Sequence, residues 1–361
     1  MSSKYNGPLH EMAETTPTSY WNDSCSVNDL DYALARGAVG ATSNPQIVLN
    51  VLKKEMPLWQ DYIRKTIVDN PSWSEIEVAW KVYEALAIKG SEMLLPVFQK
   101  DHGVKGRLSI QTNPAAYRTS QAILDQTLYF NGLVPNFNIK LPATSAGLAV
   151  VEEATYCGVS VNVTVSFTVP QVLAIAEAVE SGLKRREKEG KDVSRMSPKA
   201  TMMVGRIDDW LKVVVKREAI DIDPEYLEWP GVACFKRAYE IYKKRGYRTQ
   251  LLSAAYRNFY HWTEFIGGDV SLTMTHDWQV KYNESNTEVK ERMHIPVMPE
   301  IIKDLSKIAD FRRAYEPNGM AIEEFDNFGA TVRTLRSFIS SWHEFVGVIR
   351  DFMLPDPDIK K

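Results

Sequence analysis

The sequence is poor in the features that mark specialised classes of protein. Its 361 residues include three cysteines, Cys25, Cys157 and Cys234, whose spacing suggests neither a disulfide framework nor a zinc site. Six histidines are scattered without metal-ligand spacing. Neither sign of charge dominates: 43 lysines and arginines against 46 aspartates and glutamates leave a net charge of -3. No electrostatic footprint of nucleic acid or of a membrane surface is therefore expected. Apolar runs long enough to span a bilayer are missing. The opening "MSSKYNGPLHEMAETTPTSY" lacks the apolar centre of a secretory signal. A reducing cytoplasm is the expected location. The remaining composition, 44% hydrophobic and 25% charged, is that of a globular protein with a large core.

What the chain does carry is alternation. Eight short β-like runs occur in order: "TSYWND" (18–23), "AVGATSN" (38–44), "RLSIQ" (107–111), "FNIKLP" (137–142), "VSVNVTVSF" (159–167), "ATMMVGR" (200–206), "RTQLLSAAY" (248–256) and "DVSLTM" (269–274). Amphipathic helical candidates lie at 27–36, 45–64 with 74–99, 116–130, 144–156, 169–189, 207–216 with 231–245, and 257–266. Strands alternating with helices predict parallel βαβ units, and eight such units close into an α/β fold, the (β/α)8 TIM barrel. The rival, an open doubly wound sheet, carries a glycine-rich phosphate loop after its first strand. "YWNDSCSVND" has no glycine, so the barrel is expected. Residues 50–100 hold an additional helical segment, and "KRREKEGKDVSRMSP" (184–198) reads as a solvated helix end and loop. From 290 onward the chain is helical and rich in aromatics, which fits a terminal helix docked on or near the barrel. The expected division is a flexible segment at 1–17, one barrel domain with its C-terminal helices at 18–353, and a flexible tail at 354–361.

Alternate strand residues point to opposite faces. In "VNVTVSF", Val161, Val163, Val165 and Phe167 share one face, and Asn162, Thr164 and Ser166 the other. The same parity in "FNIKLP" sets Phe137, Ile139 and Leu141 outward, with Asn138 and Lys140 inward. Strand 1 adds Trp21 and Asp23, strand 2 Thr42 and Asn44, strand 3 Ser109 and Gln111, and strand 6 Thr201 and Met203. Polar groups near the C-terminal ends of several strands gather where barrel active sites lie. Lys140 is the sharpest of them, because an ammonium taken out of water is costly unless paired or deprotonated. Desolvation would lower its pKa, and a free amine can attack a carbonyl to form a Schiff base. Asp23 would handle protons, and Asn44 and Asn162 would bind hydroxyls. On spacing alone, an ion pair with Asp23 or a lysine snorkelled to the surface competes with that reading.

Five motifs, "GATSNP" (40–45), "IKLPAT" (139–144), "VNVT" (161–164), "VGRIDDW" (204–210) and "YRN" (256–258), resemble the successive strand-end motifs of the transaldolases. "FRRAYEPNGMAIEEF" (311–325) resembles the C-terminal helical region of longer members, and the similarity runs from about 18 to about 353. The resemblance implies a (β/α)8 barrel with class I aldolase chemistry, needing no metal or bound organic cofactor. Such enzymes transfer a dihydroxyacetone unit from a ketose phosphate to an aldose phosphate. It further implies that Lys140 forms the Schiff base and that Asp23 takes the substrate hydroxyl proton. Asn44 and Asn162 would hydrogen-bond the dihydroxyacetone moiety, Thr164 would hold the water of proton transfer, and Arg206 and Arg257 would grip the phosphate. The family also makes a homodimer an option.

Three departures from the family pattern bear on specificity. Gln111 stands where most transaldolases have a glutamate, a feature shared with fructose 6-phosphate aldolases. Those aldolases use a tyrosine on strand 6, where this chain has Met203, which cannot donate a hydrogen bond to water. Ala255 and Thr201 each replace a serine, so a sulfonated or longer-chain sugar becomes a candidate substrate. Transfer is the leading expectation. A dihydroxyacetone-releasing lyase is its rival among enzymes, and a sugar-phosphate binding protein without turnover is the alternative of another class.

Overall fold

All eight predicted strands form. The computed structural model describes residues 4–358. Its strands are β1 (Ser19–Asn22), β2 (Gly40–Thr42), β3 (Arg107–Gln111), β4 (Phe137–Pro142), β5 (Val161–Ser166), β6 (Lys199–Met203), β7 (Gln250–Ala254) and β8 (Ser271–Met274). They close into a barrel in chain order, with every pair parallel and β8 returning to β1. The parity reading explains how the walls are filled. Ile139, Leu141, Val161 and Val163 are fully buried in the main apolar core with the surrounding helices. Polar side chains bond across the interior instead: the Asn162 amide donates to Ser109 Oγ at 2.9 Å, reaching past β4. Trp21, Leu252 and Ala254 form a separate apolar cluster inside. A Cβ added at Gly40 would stand 2.4 Å from the Trp21 ring, so β2 needs a glycine where that indole crosses it.

Four expectations are corrected. The alternation along β5 does not run to its end, because the β5–β6 register slips between Val163 and Ser166. Val165 there has φ 57, a bulge conformation that costs a β-branched residue strain. Ser166, paired with Met202 beyond the slip, therefore leaves the inward face assigned to it, while Phe167 stays in the apolar core with Val161 and Val163. The Gln171 side chain braces the bulge, donating to the Val165 carbonyl at 3.3 Å and accepting from Phe167 N at 3.0 Å. Second, β6 stops at Met203 and a helix starts at once, Val204–Glu218, so Arg206 sits in a first helical turn rather than on a strand. Third, the helix expected at 257–266 shrinks to one turn, Tyr260–Thr263, in a loop held by side chains. Fourth, the segment 1–17 contains the helix Pro8–Thr15. Its Leu9 and Met12, one turn apart, are fully buried, and the Trp262 indole N–H donates to the Met12 sulfur at 3.2 Å. Residues 1–3 of that segment and 359–361 of the expected tail lie outside the described residues.

The terminal helix, Gly329–Met353, does dock on the barrel. It packs along the helices Pro45–Lys54 and Glu75–Lys100, with Trp342 stacked on Trp80 at 4.1 Å between ring centroids.

Candidate active site

Parallel register sets three of the predicted residues side by side: Lys140 on β4 is paired with Gln111 on β3 and with Asn162 on β5. Lys140 is 3% exposed, and its amine donates to the Ser43 backbone carbonyl at 3.2 Å. Burial lowers its pKa, with the Arg206 charge adding to the effect and Asp23 opposing it. Asp23 follows β1 directly, anchored by its N–H to the Met274 carbonyl at 2.7 Å. Its carboxylate accepts the Thr42 hydroxyl at 2.5 Å, and Thr42 meets Thr273 at 2.6 Å. Burial raises the Asp23 pKa, while Lys140, Thr42 and Arg206 hold it down. The two groups act on each other by charge, and among the described residues they form no ion pair within 4.0 Å. Both readings that competed for Lys140, the ion pair and the surface lysine, are thus absent.

Around this pair several polar groups are committed and others are not. Asn44 caps the helix Pro45–Lys54, its Oδ1 accepting from Ile47 N at 3.1 Å, which leaves its NH2 group directed elsewhere. Thr201 gives its hydroxyl proton to Asn162 Oδ1 at 2.6 Å, so it fixes the orientation of the Asn162 amide. Gln111 Oε1 and Thr164 Oγ1 are buried with no hydrogen-bond partner among the described residues. A buried polar atom without a protein partner calls for one, such as a water or a bound ligand. Met203, buried at the last position of β6, adds an apolar group with no hydrogen bond to offer.

A second group of charges begins where β6 ends. Arg206 has its guanidinium 5.5 Å from the Phe338 ring and a buried, unpartnered Nε. Burial lowers its pKa, and the neighbouring charges of Arg257 and Arg333 push the same way. Arg206 and Arg333 line one cavity of about 250 Å³ with Asp209, Ala330, Thr334 and Ser337. Asp209 offsets part of this crowding of like charges, and a further anion would offset the rest. Arg257 is held by the fork of Asp209, at 2.8 Å from Nη2 and 3.0 Å from Nε. Its loop is shaped by Ala255, at φ 65. A Cβ on Gly205 would meet the Ala255 carbonyl at 2.0 Å, so the glycine of "VGR" lets this loop close on the helix.

Sequence reasoning missed three contributors. Arg333 lies on the terminal helix, just beyond the 311–325 stretch and outside every quoted motif. Asp208 and His261 form a fully buried pair at 2.8 Å. His261 Nδ1 accepts from Arg257 N at 3.1 Å, so the ring proton is on Nε2 and points to Asp208. Asp208 also accepts from Gly231 N at 2.8 Å, and this chain of bonds fixes the backbone of Arg257. "VGRIDDW" contained the aspartate, but nothing in the sequence paired it with a histidine 53 positions on. Among the described residues, no group of three or more His, Cys, Asp or Glu side chains is arranged to hold a metal ion. None of the described helices is long and apolar enough to cross a membrane.

Comparison with known proteins agrees with the barrel fold. The family model described as Transaldolase/Fructose-6-phosphate aldolase matches residues 20–346. A transaldolase of Acidothermus cellulolyticus is 30% identical over 249 residues, covering 66% of this chain and 65% of that protein. One of Thiobacillus denitrificans is 33% identical over 241 residues, 62% of this chain and 64% of the relative. A third, of Thermobifida fusca, is 30% identical over 210 residues and 56% of each chain. The alignments thus span less than two thirds of each relative's own length. The family match reaches from the second residue of β1 into the terminal helix, across the strands that carry Lys140 and its neighbours: this chain belongs to the transaldolase/fructose-6-phosphate aldolase family.

Proposed function

We propose that the protein is a transaldolase-type transferase that moves a dihydroxyacetone unit from a ketose phosphate to an aldose phosphate. The observation that carries this reading is the buried, unpaired amine of Lys140, its pKa lowered by burial, with the Asp23 carboxylate acting on it by charge. A neutral amine adds to the C2 carbonyl of the donor, and loss of water leaves an iminium. Asp23 then takes the proton of the C4 hydroxyl as the C3–C4 bond breaks. The bond's electrons pass into the iminium to give an enamine, and an aldose phosphate departs. An acceptor aldehyde intercepts the enamine, Asp23 returns its proton, and water releases the new ketose from Lys140.

The other residues support that sequence. Asn162 and Asn44 carry N–H groups suited to the hydroxyls of the three-carbon unit, with Thr201 holding the Asn162 amide. Thr164 Oγ1 and Gln111 Oε1, without protein partners among the described residues, suit the water that enters and leaves. A glutamine holds such a water but takes no proton from it, so proton transfer rests on Asp23. Arg206 and Arg333 suit the phosphate, since guanidiniums meet an oxyanion with paired donors, and Arg257 joins them by exchanging the Asp209 carboxylate for the phosphate. Anchoring that remote group positions the reacting carbon. The loss of serine at Ala255 and Thr201 leaves a sulfonated or longer-chain donor within the same reading. A cytoplasmic location belongs to it too, as a compartment where Cys25, Cys157 and Cys234 stay free thiols.

Borohydride reduction in the presence of fructose 6-phosphate, followed by mass spectrometry, tests the covalent step. The expected product is a stable adduct on Lys140. An unmodified Lys140 with fructose 6-phosphate, longer ketose phosphates and sulfonated analogues alike would end the proposal. Free dihydroxyacetone measured with and without an aldose phosphate separates transfer from lysis. Release that an acceptor does not suppress would identify a lyase.

A further inference from the structure

The opposite end of the barrel carries charged and polar side chains that the transfer reaction does not use. β6 opens with Lys199, 7% exposed. Its amine donates to the Gln250 side-chain carbonyl on β7 at 2.6 Å and lies 5.5 Å from the Trp21 ring centroid. Among the described residues no carboxylate comes within 4.0 Å of it. Thr249, just before β7, is 2% exposed, and its hydroxyl has no partner among the described residues. Both residues line a cavity of about 250 Å³, built from the loops that enter β6, β7 and β8. Lys243 and Arg248 line it too, but Lys243 is paired with Asp269 at 3.8 Å and Arg248 with Glu180 and Glu187 at 3.0 and 2.6 Å, which leaves Lys199 as the lining cation without a carboxylate partner; Tyr239 and Tyr242 complete the wall.

We infer a second ligand site at this end of the barrel, taking a small organic anion, a carboxylate or phosphate monoester of a few carbons, with its oxyanion on Lys199 and Thr249. The inference does not depend on the transferase reading. A buried amine without a counter-charge can keep its proton only at a desolvation cost, and a buried hydroxyl without a partner carries such a cost as well. One oxyanion relieves both. The tyrosine rings offer an apolar wall to a short carbon skeleton. Burial holds the Lys199 amine at about 7, with Arg107 and Lys105 pushing it down and Asp269 pushing it up. An arriving anion favours the charged amine, so binding above neutrality must draw a proton from solution.

Calorimetric titration of the Arg206→Ala variant, whose own phosphate grip is weakened, reads this directly. The probes are inorganic phosphate and acetate, which separate the two head groups, at about pH 8 in buffers of different ionisation enthalpy. Expected is saturable binding of at least one probe with uptake approaching one proton. Lys199→Met should abolish the uptake and weaken binding at least about tenfold, the equivalent of one charge-assisted hydrogen bond. Should Lys199→Met not fold, Thr249→Val takes its place and should weaken binding by a similar factor. Absence of binding at tens of millimolar, binding without proton uptake, or binding indifferent to the variant used would each overturn the inference.

Discussion

Replacing Lys199 with methionine removes an amine held at about 7 against an ordinary 10.5, and the consequence is a change in how stability depends on pH. Well above pH 10.5 the amine is neutral in folded and unfolded chains alike, so no proton-linked difference exists. As the pH falls toward 7, the unfolded chain takes up a proton that the folded protein refuses, and Lys199 increasingly favours unfolding. Below 7 both states hold the proton and the penalty stays constant. The gap between 10.5 and about 7, at about 1.4 kcal/mol per pH unit, sets a ceiling of roughly 5 kcal/mol. Methionine keeps the apolar stem against Trp21 without the charge. Urea unfolding of both proteins between about pH 6 and about pH 10 measures the difference. The variant's advantage over wild type should grow by roughly 3 kcal/mol from about pH 10 to about pH 7 and then level off. Parallel curves across that interval would refute the reasoning, because they would mean that the amine titrates as it does in water.

Lys140→Arg keeps a cation but removes the nucleophilic amine: transfer should fall by at least about a thousandfold, with no borohydride adduct, while circular dichroism stays unchanged. Thr42→Val removes a hydrogen bond that holds the Asp23 pKa down. The carboxylate then stays protonated to higher pH, and the acid limb of kcat/KM should shift upward; an unmoved limb would count against Asp23 as the base. Arg333→Ala should raise KM for a phosphorylated donor by about tenfold, with little effect on unphosphorylated dihydroxyacetone as donor. Equal losses with both donors would remove Arg333 from the phosphate grip.

Where the sequence was informative, its periodicity matched a physical constraint. Period-two alternation in "FNIKLP" placed Lys140 inward because one face had to meet the helices and the other could not. Short motifs at strand ends worked for the same reason, since parallel register brings Gln111, Lys140 and Asn162 into one row. The reading failed where backbone geometry or distant contacts decided. Val165 breaks the alternation through a left-handed conformation that a β-branched residue gives no warning of. Arg206 left its strand because helix geometry begins at Val204, with no proline or capping residue to mark the start. His261 and Asp208, or Arg333 and Arg206, meet only through the tertiary fold, and single-chain periodicity carries no information on such pairs. Pro8–Thr15 was missed because two apolar residues one turn apart are too few to register as a pattern.

The helix that carries Arg333 leaves the ribosome after all eight strands, and this imposes a timetable. The cylinder is complete once Met274 has emerged, with Lys140 and Asp23 already brought together, while Gly329–Met353 is still unmade. Domains tend to fold as they are synthesised, so a barrel closed on its nascent chain holds two of the three guanidiniums and an unfinished wall. On the proposed function, the reacting groups are in place before Arg333 completes the phosphate grip, which arrives only with a helix made after the barrel.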